Sequence, residues 1–230
     1  MNRLQTRGIV LSRTDYGEAD RIVTMLTPEY GKVRLMARGV RKPKAKLAGG
    51  IELFSVSDIS FIRGRGEIGT LVSTRLITHY GRIVKHIERV KLGYDLIKMT
   101  DKFTEDEPEE AYFNLLQQAL KALDDSRINQ QLIRAWFSAQ VLRLSGHSPN
   151  LDTTVSGAKL AEDQKYTFDF DNMAFEPSGK SYFQAGDIKF LRLLFGDSGP
   201  EVLARVAGSD ELIRKIAPLV HAMLQTHIRL

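Results

Sequence analysis

The chain contains no cysteine, which removes disulfides and any thiolate-held zinc or iron–sulfur centre from consideration. It has no apolar run approaching the ~18 residues a membrane-spanning helix needs, and no charged-then-apolar signal segment at its start. A soluble, cytoplasmic protein is therefore expected. Charge of one sign is also missing locally: from Lys32 to Gly50 there is not one acidic residue.

That same stretch is where the basic residues gather. In GKVRLMARGVRKPKAK, residues 31 to 46, seven of sixteen positions are Lys or Arg (Lys32, Arg34, Arg38, Arg41, Lys42, Lys44, Lys46). The formal charge of +5 hides an uneven split, with a net +8 in residues 1 to 82 and −3 in the remainder. Basicity confined to one part of a 230-residue chain points to one module that meets an anionic partner. On a strand, Lys32, Arg34 and Arg38 share one face while Val33, Leu35 and Ala37 share the other. A charged strand face is also what a solvated surface looks like. Surface cations kept for solubility, however, are usually interspersed with acids, and here they are not.

Residues 3 to 78 read as five short alternating strands punctuated by turn residues, a pattern that favours a small closed or nearly closed barrel. The period changes at Arg82. Helical spacing of apolar residues follows to Lys102, again from 108 to 123 behind Pro108-Glu109-Glu110, and again from 128 to 145. A polar, turn-rich insert occupies about 146 to 182, and helical periodicity returns at 186 to 195 and 209 to 229. The expected domains are therefore 1–80, a β-module, and 81–230, a helical module containing the insert.

Three segments carry a family resemblance: GIVLSRTDYGEADRIVTMLTPEYGKVRLMARGVRK, the SFIRGRGEIGTL hairpin, and LRLSGHSPNLD after the third helix. In order and register they resemble the RecO family of bacterial DNA repair and recombination mediators. The resemblance implies an α+β multi-domain fold: a five-stranded OB-fold barrel followed by a mostly helical domain with a degenerate, zinc-finger-like loop insert. It implies binding of single- and double-stranded DNA, annealing of complementary strands, and RecA loading with RecR and single-strand-binding protein, whose acidic C-terminal tail docks on the helical domain. It implies a cytoplasmic, nucleoid-associated protein without enzyme activity or cofactor. One departure is clear. Many RecO proteins carry a four-cysteine zinc site after the Leu-Asp that is Leu151-Asp152 here, and this chain continues Thr153-Thr154-Val155-Ser156-Gly157. No metal is expected, with Tyr166, Phe168, Phe170 and Phe175 as the insert's own small core.

The candidate nucleic-acid contacts are Lys32, Arg34 and Arg38 on the strand, Arg41, Lys42, Lys44 and Lys46 in the loop, and Arg63 and Arg65 in the next turn. Such cations position a phosphate backbone without reading its sequence. Aromatics for base stacking are few: Tyr16 and Tyr30 in loops, against Phe54 and Phe61, which fit core positions. Trp136 lies on an apolar helical stripe; with Arg134 and Arg143 it is the candidate groove for a partner's tail. Gly64-Arg65-Gly66-Glu67-Ile68-Gly69 matches a dinucleotide-binding pattern but leads into a strand, not a helix, so it reads as a hairpin turn. Ser156 and Lys159 match S-x-x-K only by chance. No catalytic constellation assembles. Three other readings are an RNA-binding factor of the same fold, a magnesium-dependent nucleic-acid enzyme using Asp163, Asp169 and Asp171, and a pure adaptor with vestigial DNA binding.

Overall fold

A computed structural model describes residues 3–64, 66–105, 107–179 and 182–227. The chain divides into two compact units, Met1–Asp125 and Ser126–Leu230.

The first unit is built on five strands: β1 (Arg3–Tyr16), β2 (Asp20–Thr27), β3 (Gly31–Ala37), β4 (Ser55–Ile62) and β5 (Ile68–His79). Hydrogen bonding runs in the order β1-β2-β3-β5-β4 and returns from β4 to β1. All of these ladders are antiparallel except β3–β5, which is parallel and has three register pairs, Arg34 with Ile68, Leu35 with Gly69 and Met36 with Thr70. Alternation fills the interior with Val10, Val23, Met25, Val33, Leu35, Ile59, Phe61 and Leu71, all buried. The β4–β5 turn is glycine-rich because backbone crowds it: a Cβ at Gly64 would lie 2.5 Å from the Ile68 carbonyl oxygen, and one at Gly69 would lie 2.7 Å from that of Ile62. Since an antiparallel strand follows, the dinucleotide-like glycine pattern is a hairpin.

Two helices complete this unit, α1 (Ile87–Phe103) and α2 (Glu110–Asp124). Gly93 lets α1 approach: a Cβ there would sit 2.6 Å from the Phe54 ring. The Arg7 guanidinium stacks over Phe113 of α2 at 5.3 Å. Asp124 at the end of α2 accepts from the backbone N–H of Arg82 at 2.6 Å and of Ile83 at 3.2 Å. Arg89, buried on α1, donates to the Leu123 carbonyl at 2.6 Å; burial lowers its pKa, while Asp125 and Asp124 oppose that shift.

The expected fold class is corrected here. The five strands are not an independent OB-fold barrel followed by a helical domain: β3 and β5 meet over three residues only, and α1 and α2 belong to the same compact unit as the sheet. The physical reason is local. Gly93 packs α1 on Phe54 just before β4, Arg7 of β1 stacks on α2, and Asp124 holds the link after β5 at Arg82 and Ile83. A change of hydrophobic period in sequence does not reveal where packing ends.

The second unit holds α3 (Gln130–Leu144), β6 (Asn150–Thr154), β7 (Tyr166–Asp169), β8 (Ala174–Pro177), α4 (Ala185–Phe195), the short α5 (Pro200–Leu203) and α6 (Ser209–His227). Asn129 caps α3 by accepting the Gln131 N–H at 2.8 Å. The expected loop insert is a three-stranded sheet in the order β6-β8-β7. Tyr166, Phe168 and Phe175 are buried in it and Phe170 is half-buried. Phe168 meets both Phe170 and Phe175 edge-on at 5.1 Å, and Phe183, absent from the sequence reading, joins Phe175 at 5.6 Å. In the cysteine-free segment after Leu151-Asp152, the Thr154 and Ser156 hydroxyls hydrogen-bond each other at 2.9 Å.

Candidate nucleic-acid interface

Along β3 the alternation is as the spacing requires. Val33, Leu35 and Ala37 are buried and Lys32 and Arg34 face outward, while Arg38, expected on the strand, is exposed in the turn just past its end. The outward cations do not share one environment. Lys32 is half-buried, its ammonium held by the Asp101 carbonyl at 2.8 Å and the Asp101 carboxylate at 3.1 Å. Its backbone N–H donates to the Glu105 carbonyl at 3.2 Å, so the acidic link between α1 and α2 runs beside this end of the strand. Arg34 is exposed but lies 3.5 Å from Glu67. A cleft of about 880 Å³ here is lined by the cations Lys32, Arg34 and Arg63 and by the acids Glu67, Asp101, Glu105 and Glu107. The acids missing from the local sequence arrive from elsewhere in the chain.

Beyond Ala37 the pattern reverses. Arg38, Lys42, Lys44 and Lys46 are exposed, and among the described residues no carboxylate lies within ion-pairing distance of them. The segment is strapped to the β1–β2 turn rather than left loose. The Gly39 N–H donates to Asp20 at 2.6 Å and the Arg41 N–H to the Ala19 carbonyl at 2.9 Å. Arg41 reaches the Gly17 carbonyl at 3.3 Å and Asp15 at 3.5 Å. Asp15 in turn accepts from Arg21 at 2.6 Å. That hydrogen bond holds the Asp15 carboxyl below its ordinary pKa against the cost of desolvation, helped by the charges of Arg21, Arg41 and Arg13. Lys44 adopts φ 64°, left-handed backbone that a non-glycine residue rarely takes, so the cationic turn is shaped.

Of the turn cations, Arg63 stacks over Tyr30 at 5.5 Å, and Tyr30 meets Phe61 edge-on at 5.6 Å, so that aromatic is already engaged. Arg65 lies outside the described residues. In the second unit Trp136 is buried and its indole N–H donates to the Ser198 carbonyl at 2.9 Å. Arg143 pairs with Asp197 at 2.7 Å. Arg134 is exposed about 200° around α3 from Trp136, so the three do not converge. Asp169 is spent on a turn, accepting from the N–H groups of Asp171 at 2.8 Å and Asn172 at 3.0 Å. The hydrogen bonds from Asn172 lower its pKa most. Among the described residues no group of three His, Asp or Glu could hold a metal ion, and no helix is long and apolar enough to cross a membrane.

Comparison with known proteins gives this arrangement its context. The family model described as recombination protein O, N terminal, matches residues 1–80, and that for the C terminal matches residues 87–230. The chain belongs to the RecO family. A DNA repair protein RecO of Halalkalibacterium halodurans is 34% identical over 153 residues, covering 66% of this chain and 59% of that protein. Another from Syntrophus aciditrophicus is 32% identical over 167 residues, covering 71% of this chain and 64% of its own length. One from Dehalococcoides mccartyi is 33% identical over 148 residues, covering 64% and 58%. The matched part thus spans about three fifths of these relatives' length. The RecO family boundary near residue 80 falls inside the first compact unit, which continues to Asp125.

Proposed function

We propose that this protein is a non-catalytic DNA repair and recombination mediator that binds single- and double-stranded DNA through the cations of β3 and the loop after it. The observation that carries the reading is the run Arg38, Lys42, Lys44 and Lys46, exposed and without an ion pair among the described residues, on a turn braced by Asp20 and Ala19. Cations so held meet phosphates without giving up existing partners, and they bind without regard to sequence. Neutralising two strands at once lowers their mutual repulsion, which is the physical basis of annealing. Family membership supports the repair role, and with it RecA loading alongside RecR and single-strand-binding protein. The Arg143 region of α3 is where a tail of that partner would be sought, with Trp136 supporting the surface from within.

The test is binding of a labelled single-stranded oligomer across a salt series, with annealing of its complement followed in the same samples. Affinity that falls steeply with salt, together with faster annealing, supports the reading. No binding at low salt sinks it. A matched RNA oligomer in parallel separates DNA from RNA preference, and adding magnesium reports any turnover.

A further inference from the structure

We infer that the outer face of β1, β2 and β3 is a base-stacking platform with Tyr16 as its aromatic contact, so that unpaired nucleotides are held by their rings as well as their phosphates. This deepens the nucleic-acid reading and rests on it. The strand register builds the face. Ser12 pairs with Thr24 and Thr24 with Arg34; Thr14 pairs with Ile22 and Ile22 with Met36. Tyr16 pairs with Asp20, and because Arg21 pairs with Ala37, one further step brings Asp20 level with Arg38. The Gly39 N–H bound to the Asp20 carboxylate fixes that last row.

Three rows therefore cross the sheet. Arg34 and Arg38 line the β3 side, Ile22 and Met36 lie half-buried in the middle with Thr14 exposed beside them, and Tyr16 stands at the β1 side with 56% of its surface exposed. Among the described residues no ring, cation or hydrogen-bonding group engages the Tyr16 side chain. Tyr30, by contrast, is held by Phe61 and Arg63. Two strand spacings, about 10 Å, separate the Tyr16 and Arg38 columns, a span that one splayed nucleotide bridges. The uncharged Thr14–Ile22–Met36 row suits base faces, and the Asp20 carboxylate between Tyr16 and Arg38 turns phosphates toward Arg34 and Arg38. Stacking is indifferent to base identity but needs an unstacked base. The platform consequently favours single strands over duplex, whereas the loop cations do not discriminate.

The test titrates a labelled oligothymidylate and a duplex of equal length with the parent, Tyr16→Ala, Tyr16→Phe and Arg38→Ala. Loss of one stacked base corresponds to roughly 5- to 150-fold in affinity. That loss is expected for Tyr16→Ala on the single strand alone, with duplex affinity and both salt slopes unchanged, and Tyr16→Phe should retain parental binding. Arg38→Ala should weaken both substrates and flatten both slopes. Equal losses on single strand and duplex, or none, with Tyr16→Ala overturn the platform while leaving phosphate binding intact. A parent that binds neither substrate overturns the function reading and the platform together.

Discussion

The two ends of the basic track look alike in sequence and differ in three dimensions. Lys32 and Arg34 pair with Asp101 and Glu67, whereas among the described residues Arg38, Lys42, Lys44 and Lys46 form no ion pair. A cation that already holds a carboxylate must release it before meeting a phosphate, so its contribution is a difference between two pairings. A cation in water gives its full counterion release. Counting Lys and Arg along a segment therefore overstates the clamped end.

The largest expected effect comes from the free end. Replacing Lys42, Lys44 and Lys46 together by alanine should lower oligonucleotide affinity by at least about tenfold and reduce the salt slope by about 2 to 3. The pair Lys32→Ala and Arg34→Ala should change the slope by less than half as much. Equal slopes for the two sets, measured by anisotropy across a salt series, would break the comparison. Next comes the scaffold that carries the clamp. Gly93→Ala forces α1 off Phe54, and overpacking of this kind costs about 1–3 kcal/mol, seen as a lower denaturant midpoint. An unchanged midpoint would mean α1 shifts freely. Smaller is the release of Lys32: Asp101→Asn should tighten DNA binding severalfold and steepen the slope by up to about 0.9, while weaker binding would show that Asp101 positions Lys32 productively. Smallest is an acid effect at the braced turn. The Asp15 carboxyl is held below its ordinary value of 3.8, so it adds stability above that pH, and the addition is lost as pH falls through the lower folded value. Asp15 is exposed and its pairs are screened, so Asp15→Asn should remove only a shallow acid limb from a stability–pH profile.

How much of this was legible beforehand follows from the range of each interaction. Strand alternation and helix period are local, and they located the five strands and the α-helices apart from the four-residue Pro200–Leu203. The unit boundary was not legible, because Gly93 looks like any glycine until Phe54 is set against it. Nor was the clamp: Asp101 lies 69 residues from Lys32, and charge spacing in a chain says nothing about which charges meet. In the insert the aromatic residues were visible, but β6 and its parallel pairing with β8 were not, since Asn150–Thr154 is polar and reads as a loop. Tyr16 and Tyr30 were indistinguishable in sequence; register and ring contacts separate them.

The three-rung parallel seam between β3 and β5 has a kinetic consequence. Its partners lie 34 residues apart, Arg34 with Ile68, so only three rungs offset a non-local closure. The β1–β4 ladder, Arg3 with Ile62 to Ile9 with Val56, spans more chain but has more rungs, and the β1–β2 and β2–β3 hairpins form from near neighbours. The seam should be the last ladder to zip and the first to part, with the amides of Arg34–Met36 exchanging ahead of those in the hairpins. Since Arg34 sits on the seam itself, each opening also frees the cation nearest Glu67, and the ring breathes at the edge where a strand of nucleic acid would arrive.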